Sequence, residues 1–173
     1  ALGNADFIWV IGIEVFIGIM VAFFQKSGAI EAVANKLNEK LHITPRIAQI
    51  MGAALGILVF FSDYFSPLFV GNVMRPITDK AKVSREKLAY IVDSTTAAVP
   101  TLFPISAWGA YIIGLIATFY TSTGYTGNPQ TDFVAGIPYQ YYTIGSILMV
   151  LIIAVTGWDI GPMKKAEDRA RLT

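Results

Sequence analysis

Ser62-Asp63-Tyr64-Phe65-Ser66-Pro67 interrupts an apolar run, Ile47 to Phe61, and is followed by a second apolar piece, Leu68 to Met74, too short to cross a bilayer alone. The first arm of the segment would rise about 22 Å and the second, Tyr64 to Met74, about 16 Å, so the interruption falls near a bilayer midplane. Basic residues flank both ends, with Lys26, Lys36, Lys40 and Arg46 before it and Arg75, Lys80, Lys82, Arg85 and Lys87 after it. Positive charge on both sides marks both ends as cytoplasmic. A re-entrant hairpin over residues 46–75 satisfies that arithmetic, because two full crossings would need more residues.

The rest of the chain gives the hairpin its setting. Among 173 residues 54% are apolar and 14% charged, against about 25% charged in soluble domains. The mean hydropathy is +0.56. Phe7 to Phe24 and Tyr141 to Gly157 are long and apolar enough to be spanning candidates. Gln25 to Arg46 reads as a short amphipathic helix at the surface. Ser84 is a plausible N-cap, with Glu86 in the first turn, for a helix from about Arg85 through Asp93. Pro100 and Pro104 then break an apolar stretch that resumes through Tyr120, giving one broken span over residues 88–120. Thr121 to Gln140 has no Lys or Arg and reads as an external, turn-rich loop edged by Tyr120, Tyr125, Tyr139, Tyr141 and Tyr142. The expected fold is all-α and polytopic: a single transmembrane domain over 1–173, with spans at 7–24, 88–120 and 141–157, the hairpin, and a cytoplasmic tail at 158–173. Its place would be the cell (inner) membrane, multi-pass, in contact with lipid. Ala1 in place of a starting Met fits a processed chain or an excised part.

Composition also excludes function classes. Thirteen Lys plus Arg against twelve Asp plus Glu leave a net charge of +1, too little to grip nucleic acid. The chain has no cysteine and a single His42, so thiolate zinc sites, iron–sulfur clusters, thiol nucleophiles and imidazole metal clusters are excluded for it. No Walker-type loop, nucleophile elbow or Gly-x-Gly-x-x-Gly occurs, which leaves an enzyme without support. His42, in the basic loop, receives no role.

Unwound backbone at membrane depth frees carbonyls and helix ends that can coordinate an ion. The two interruptions are therefore expected to share one cavity. Ser62, Ser66, Ser94, Thr95, Thr96, Thr101 and Ser106 supply hard oxygens, suited to an alkali cation. Asp93 lies about 9 Å into its span, where burial raises a carboxylate's pKa and a bound cation lowers it, so protons and sodium would compete for it. The bland alternative is an interfacial ion pair. Asp63 at the hairpin tip is either a second cation ligand or an Asx-turn capping the second arm. Glu14, the deepest charge of the first span, shares a small-residue face with Gly18 and Ala22 and serves either a proton relay or a structural hydrogen bond. Ala48, Gly52 and Gly56 give the hairpin's first arm a close-packing face.

Two blocks carry a family resemblance. Asp63-Tyr64-Phe65 with Val70-Gly71-Asn72-Val73-Met74-Arg75-Pro76-Ile77-Thr78-Asp79, and Ser84-Arg85-Glu86-Lys87-Leu88-Ala89-Tyr90-Ile91-Val92-Asp93-Ser94-Thr95 with Pro104-Ile105-Ser106-Ala107-Trp108-Gly109-Ala110-Tyr111, resemble the NhaC-type sodium/proton antiporter family. The ending Gly161-Pro162-Met163-Lys164-Lys165-Ala166-Glu167 resembles it too. The resemblance implies inverted repeats, each with a re-entrant hairpin and a broken helix, of which this chain looks like one. It implies cation coordination by Asp63 and Asp93 with Ser62, Thr95 and Thr96, sodium and protons being the transported species and no cofactor being required. A second repeat of the same protein or a homodimer would complete the assembly. Two alternatives stay open at this stage: an organic-acid exchanger of the malate/lactate type, and a non-transporting membrane subunit or fragment.

Overall fold

The computed structural model describes residues 43–60, 63 and 65–172, with isolated positions between 12 and 36. Glu14, Ser62 and His42 lie outside the described residues, as does most of the expected first span. Every regular element among the described residues is helical. In chain order these are α1 (Pro45–Leu58), α2 (Phe65–Lys80), α3 (Arg85–Thr96), α4 (Ala107–Thr123), α5 (Pro129–Gly136), α6 (Tyr141–Thr156) and α7 (Pro162–Leu172). Short 3-10 turns sit at Val99–Leu102 and Ile137–Tyr139.

The starts of α1 and α3 follow from local chemistry. Thr44 accepts a hydrogen bond from the Ile47 amide at 3.4 Å, and Pro45 occupies the first helical position, where its missing N–H costs nothing. Ser84 accepts from the Lys87 amide at 3.1 Å and starts α3 where the sequence signal puts it. Arg46 therefore belongs to the first turn of α1 rather than to a surface segment ending at that residue. The cap chemistry of Thr44-Pro45 overrides the charge pattern.

α1 packs against α2, α3 and α6, and α3 packs against α2 and α6 as well. Gly52 of α1 faces Ile91 and Gly56 faces Thr95, so α1 and α3 run in the same direction, with α2 returning between them. Buried Val70, Met74 and Ile77 of α2 fill the space beside Ala48 of α1 and Leu88 and Val92 of α3. A second cluster joins Ala53, Ile91 and Val150 across α1, α3 and α6. These apolar contacts are the main force holding the four helices together.

Two expectations are corrected here. The hairpin's second arm does not stop at Met74: α2 continues through Pro76 to Lys80. In the turn that follows the proline, the Thr78 hydroxyl donates to the Met74 and Arg75 carbonyls at 3.0 Å each. The stretch 121–140 is not simply turn-rich either. Asn128 caps α5 by accepting from the Gln130 and Thr131 amides, and Pro129 supplies its first residue. The turn formers there start a helix, which is where such residues also belong.

By length and composition, the run Arg85–Thr123 is apolar enough to cross a membrane. Pro129–Tyr139 with Tyr141–Thr156, bent by 52° at its break, qualifies as a second when taken as one span.

Candidate functional site

The two chain breaks meet. α1 ends at Leu58, and the amide of the next residue, Val59, donates to the Leu55 carbonyl at 3.0 Å. The Val59 carbonyl then accepts from the buried hydroxyl of Ser66, which ties the start of α2 back to the end of α1. One residue further on, Phe60 stacks on Phe103 of the second break with ring centroids 4.3 Å apart. Gly56 lies so close to Thr95 that a Cβ there would sit 2.2 Å from the threonine Oγ1. Only a residue without a side chain permits that approach.

The second break is built by its prolines and hydroxyls. α3 ends at Thr96, and Pro100 has no N–H for the Thr96 carbonyl four residues before it. The amide of Thr101 turns to the Ala98 carbonyl at 3.2 Å, forming the 3-10 turn. Ser106, 1% exposed, donates to the Pro100 and Phe103 carbonyls and accepts from the Gly109 amide at 2.9 Å, so one hydroxyl both closes the break and caps α4. At Gly109 a Cβ would meet the Phe103 carbonyl oxygen at 2.1 Å. α6 braces the same region: Thr143 lies 3.2 Å from Thr101 between hydroxyls, Gln140 Nε2 donates to the Thr101 carbonyl at 3.3 Å, and Ser146 donates to the Ser94 carbonyl at 3.1 Å.

The candidate ligands take different positions around this junction. Thr95 and Thr96 are buried, and both lie against Gly56. Their hydroxyls donate to the helix carbonyls of Ile91 and Val92 at 2.7 Å, which leaves each oxygen's lone pairs available to accept or to coordinate. Asp93 is exposed and opens on a groove of about 480 Å³ between α2 and α3, which it shares with Pro67, Gly71, Arg75 and Arg85. Asp63 is half-buried in the turn between α1 and α2. Among the described residues no hydrogen bond links Asp63 to Asp93.

Four charged residues to which sequence reasoning gave no site role, Lys87, Asp159, Glu167 and Arg169, hold the opposite end of α3. Lys87 has a fully buried side chain paired with Asp159, whose own side chain is 7% exposed. Glu167 of α7, 2% exposed, accepts from the Ser84 amide at 2.8 Å and so caps α3 from 83 residues away. Arg169 pairs with Glu86 on the exposed side of the same contact. Lys87 stood in a basic run and looked like one more topology-setting charge. The usable signal was its position three residues after the Ser84 cap, inside the helix rather than in the loop before it.

Comparison with known proteins adds a separate line. Residues 99–173 match the model of the Na+/H+ antiporter family. The match begins at Val99, inside the second break, and takes in α4 to α7 with Asp159 and Glu167; Asp63, Asp93, Thr95 and Thr96 precede it. An uncharacterized protein of Haemophilus influenzae is 42% identical over 158 residues, covering 89% of this chain and 30% of that protein. The chain thus spans about a third of the length of the curated relative it matches. No solved structure matches the chain.

Proposed function

We propose that this chain is part of a sodium/proton antiporter of the NhaC type, a secondary transporter rather than an enzyme, working in the cell membrane by alternating access around the two chain breaks. The observation that carries the reading is the junction itself. The hairpin turn and the broken helix are brought together by Phe60 on Phe103 and Gly56 against Thr95, and the chain from the second break onward resembles antiporters. Interrupted helices at membrane depth are the usual frame of a cation site, because their freed carbonyls and hydroxyls replace the water of a hydrated ion.

In this reading sodium is held by hard oxygens at the junction, those of Thr95 and Thr96 with Asp63 and Asp93 and with Ser62 beside them. The carboxylates exchange sodium for protons, since a carboxylate that binds a cation must first lose its proton. Glu14 serves as a proton relay on the first span. The apolar exteriors of α4 and α6 support a lipid setting: Tyr111, Leu115, Phe119, Leu148, Met149, Ile152 and Val155 are all exposed. A second repeat of the same protein, or a second copy, would complete the transporter.

The test is flux. The full native gene product, reconstituted in vesicles, is expected to drive proton efflux on addition of external sodium, and Asp93→Asn is expected to abolish that flux while the protein stays folded by circular dichroism. Wild-type vesicles that carry no sodium-driven proton flux would sink the reading.

A further inference from the structure

α4 and α5 form a hairpin between the two 3-10 turns, Val99–Leu102 and Ile137–Tyr139. Their main contacts are with each other and with those turns, whereas α1, α2, α3 and α6 pack among themselves. Among the described residues only Gly109 of α4 and Phe133 of α5 are buried. The hairpin is braced from within. The Tyr120 hydroxyl donates to Asp132, which joins the last turn of α4 to the first turn of α5. The Tyr125 ring of the connecting loop stands edge-on to Tyr120, with centroids 4.7 Å apart. The two stretches of chain that join this hairpin to the core lie side by side. Gln140, between the second turn and α6, donates from Nε2 to the Thr101 carbonyl at 3.3 Å and sets its Oε1 3.2 Å from the Thr101 hydroxyl. Thr143 also comes within 3.2 Å of that hydroxyl. Each turn carries a proline, Pro100 and Pro138, and so lacks an amide that would otherwise extend its backbone ladder.

We infer that α4 and α5 move as one rigid arm, swinging about a paired hinge formed by residues 97–106 and 137–140, with Thr101, Gln140 and Thr143 as its pin. Hinges are short stretches at the ends of elements that absorb changes in φ and ψ while the bodies on either side keep their packing. Both bodies are present here, the braced hairpin on one side and the packed helices of the core on the other. The bonds across the pin are neutral, so they can be remade at a new angle without stranding a charge. α4 is about 25 Å long, and a swing of about 15° would carry its far end about 6 Å. The near end moves with it. Phe103 belongs to the hinge and stacks on Phe60, just beyond α1, so the swing shifts one ring against the other and alters the junction of the two breaks. The far end of the arm is thereby coupled to that junction. The inference concerns movement, and it holds whatever ion the protein carries.

The experiment measures distances. Spin labels are attached at single cysteine substitutions in a cysteine-free version of the full native gene product, held in lipid nanodiscs, and read by double electron–electron resonance. Ser122, near the far end of the arm, is paired with Lys164 on α7, and Leu58, at the end of α1, is paired with the same Lys164 as a reference within the core; all three are exposed. The arm distribution is expected to be about twice as wide as the reference, or to hold two maxima about 5 Å or more apart. Gln140→Leu with Thr143→Val, which removes the pin, is expected to widen or re-weight the arm distribution and to leave the reference unchanged. An arm distribution as narrow as the reference would overturn the inference, and so would a pin variant whose arm distribution keeps its wild-type shape. Equal widening of both pairs would overturn it too, because that reports loosened core packing rather than a hinge. The wild-type comparison needs no variant, so it decides the question even where the double variant fails to fold.

Discussion

The ion pair between Lys87 and Asp159 gives the sharpest energetic prediction. The Lys87 side chain is wholly inaccessible and that of Asp159 nearly so, and they lie 72 residues apart in sequence, so the pair ties α3 to the segment between α6 and α7. Removing one partner strands the other charge away from water, at a cost of about 3–5 kcal/mol. Replacing both by apolar residues of similar volume strands nothing and is often neutral or stabilising by about 1–4 kcal/mol. Lys87→Met and Asp159→Leu alone should therefore each lower the melting temperature steeply. For a chain of this size about 1 kcal/mol corresponds to roughly 2–4 °C, so each single variant should lose about 6–20 °C. The double variant should recover most of that loss. The assay is thermal unfolding of the four proteins in one detergent, read as a double-mutant cycle. Single losses that simply add in the double variant, or a Lys87→Met loss below about 1 kcal/mol, would refute the argument, because a charge that tolerates losing its partner is not buried with it.

Three further outcomes are expected. Gly56→Ala places a Cβ 2.2 Å from Thr95 Oγ1 and should cost about 1–3 kcal/mol in thermal stability, and adding Thr95→Ala should restore much of it because the offending atom is then gone. Gly109→Ala should be at least as costly by the same measurement and should resist rescue, since its Cβ would meet the backbone oxygen of Phe103 and no neighbouring side chain can be trimmed. Glu167→Gln keeps an acceptor for the Ser84 amide but removes the negative charge from the helix N-terminus, so it should cost less than Glu167→Ala, the latter losing about 1–2 kcal/mol in chemical denaturation.

Much of the architecture was legible because it rests on local rules. Ser84 announces the start of α3, Pro100 and Pro104 announce its break, and Ser62 to Pro67 announces the end of α1. Each signal acts within about one helical turn, through a missing N–H or a hydroxyl within reach of an amide. The encounter of the two breaks was expected from the principle that irregular backbone at depth must be shared, yet its contacts, Phe60 with Phe103 and Gly56 with Thr95, are not signalled by either segment alone. Burial was the least legible property. Lys87, Glu167 and Gln49 carry polar letters in ordinary surroundings, and they are enclosed only because α6 and α7 return to cover α3 and the start of α1. A charge run reads as solvated until the partner that covers it is known, and Asp159, alone beside Trp158, gave no sign of being that partner. The helix over Pro129–Gly136 was missed for a different reason: Asn, Pro and Gly punctuate both turns and helix starts, and the choice between them depends on whether the following residues find a face to bury, as Phe133 does.

The two ends of α3 are held by forces of different kind, and this bears on how the molecule can work. At its start the helix is fixed by a buried ion pair and by a carboxylate cap from α7, bonds whose rupture strands a charge and costs several kcal/mol. At its other end the Ser94 carbonyl accepts from Ser146, and the adjoining breaks are closed by neutral bonds from Ser66, Thr101 and Ser106 to carbonyls, each worth about 0.5–1.5 kcal/mol net. A hydroxyl can exchange such a carbonyl for water or for a cation without leaving a charge uncompensated, and a carbonyl released by a hydroxyl can itself turn to a cation. Rearrangement therefore costs least at the breaks and most at the capped start.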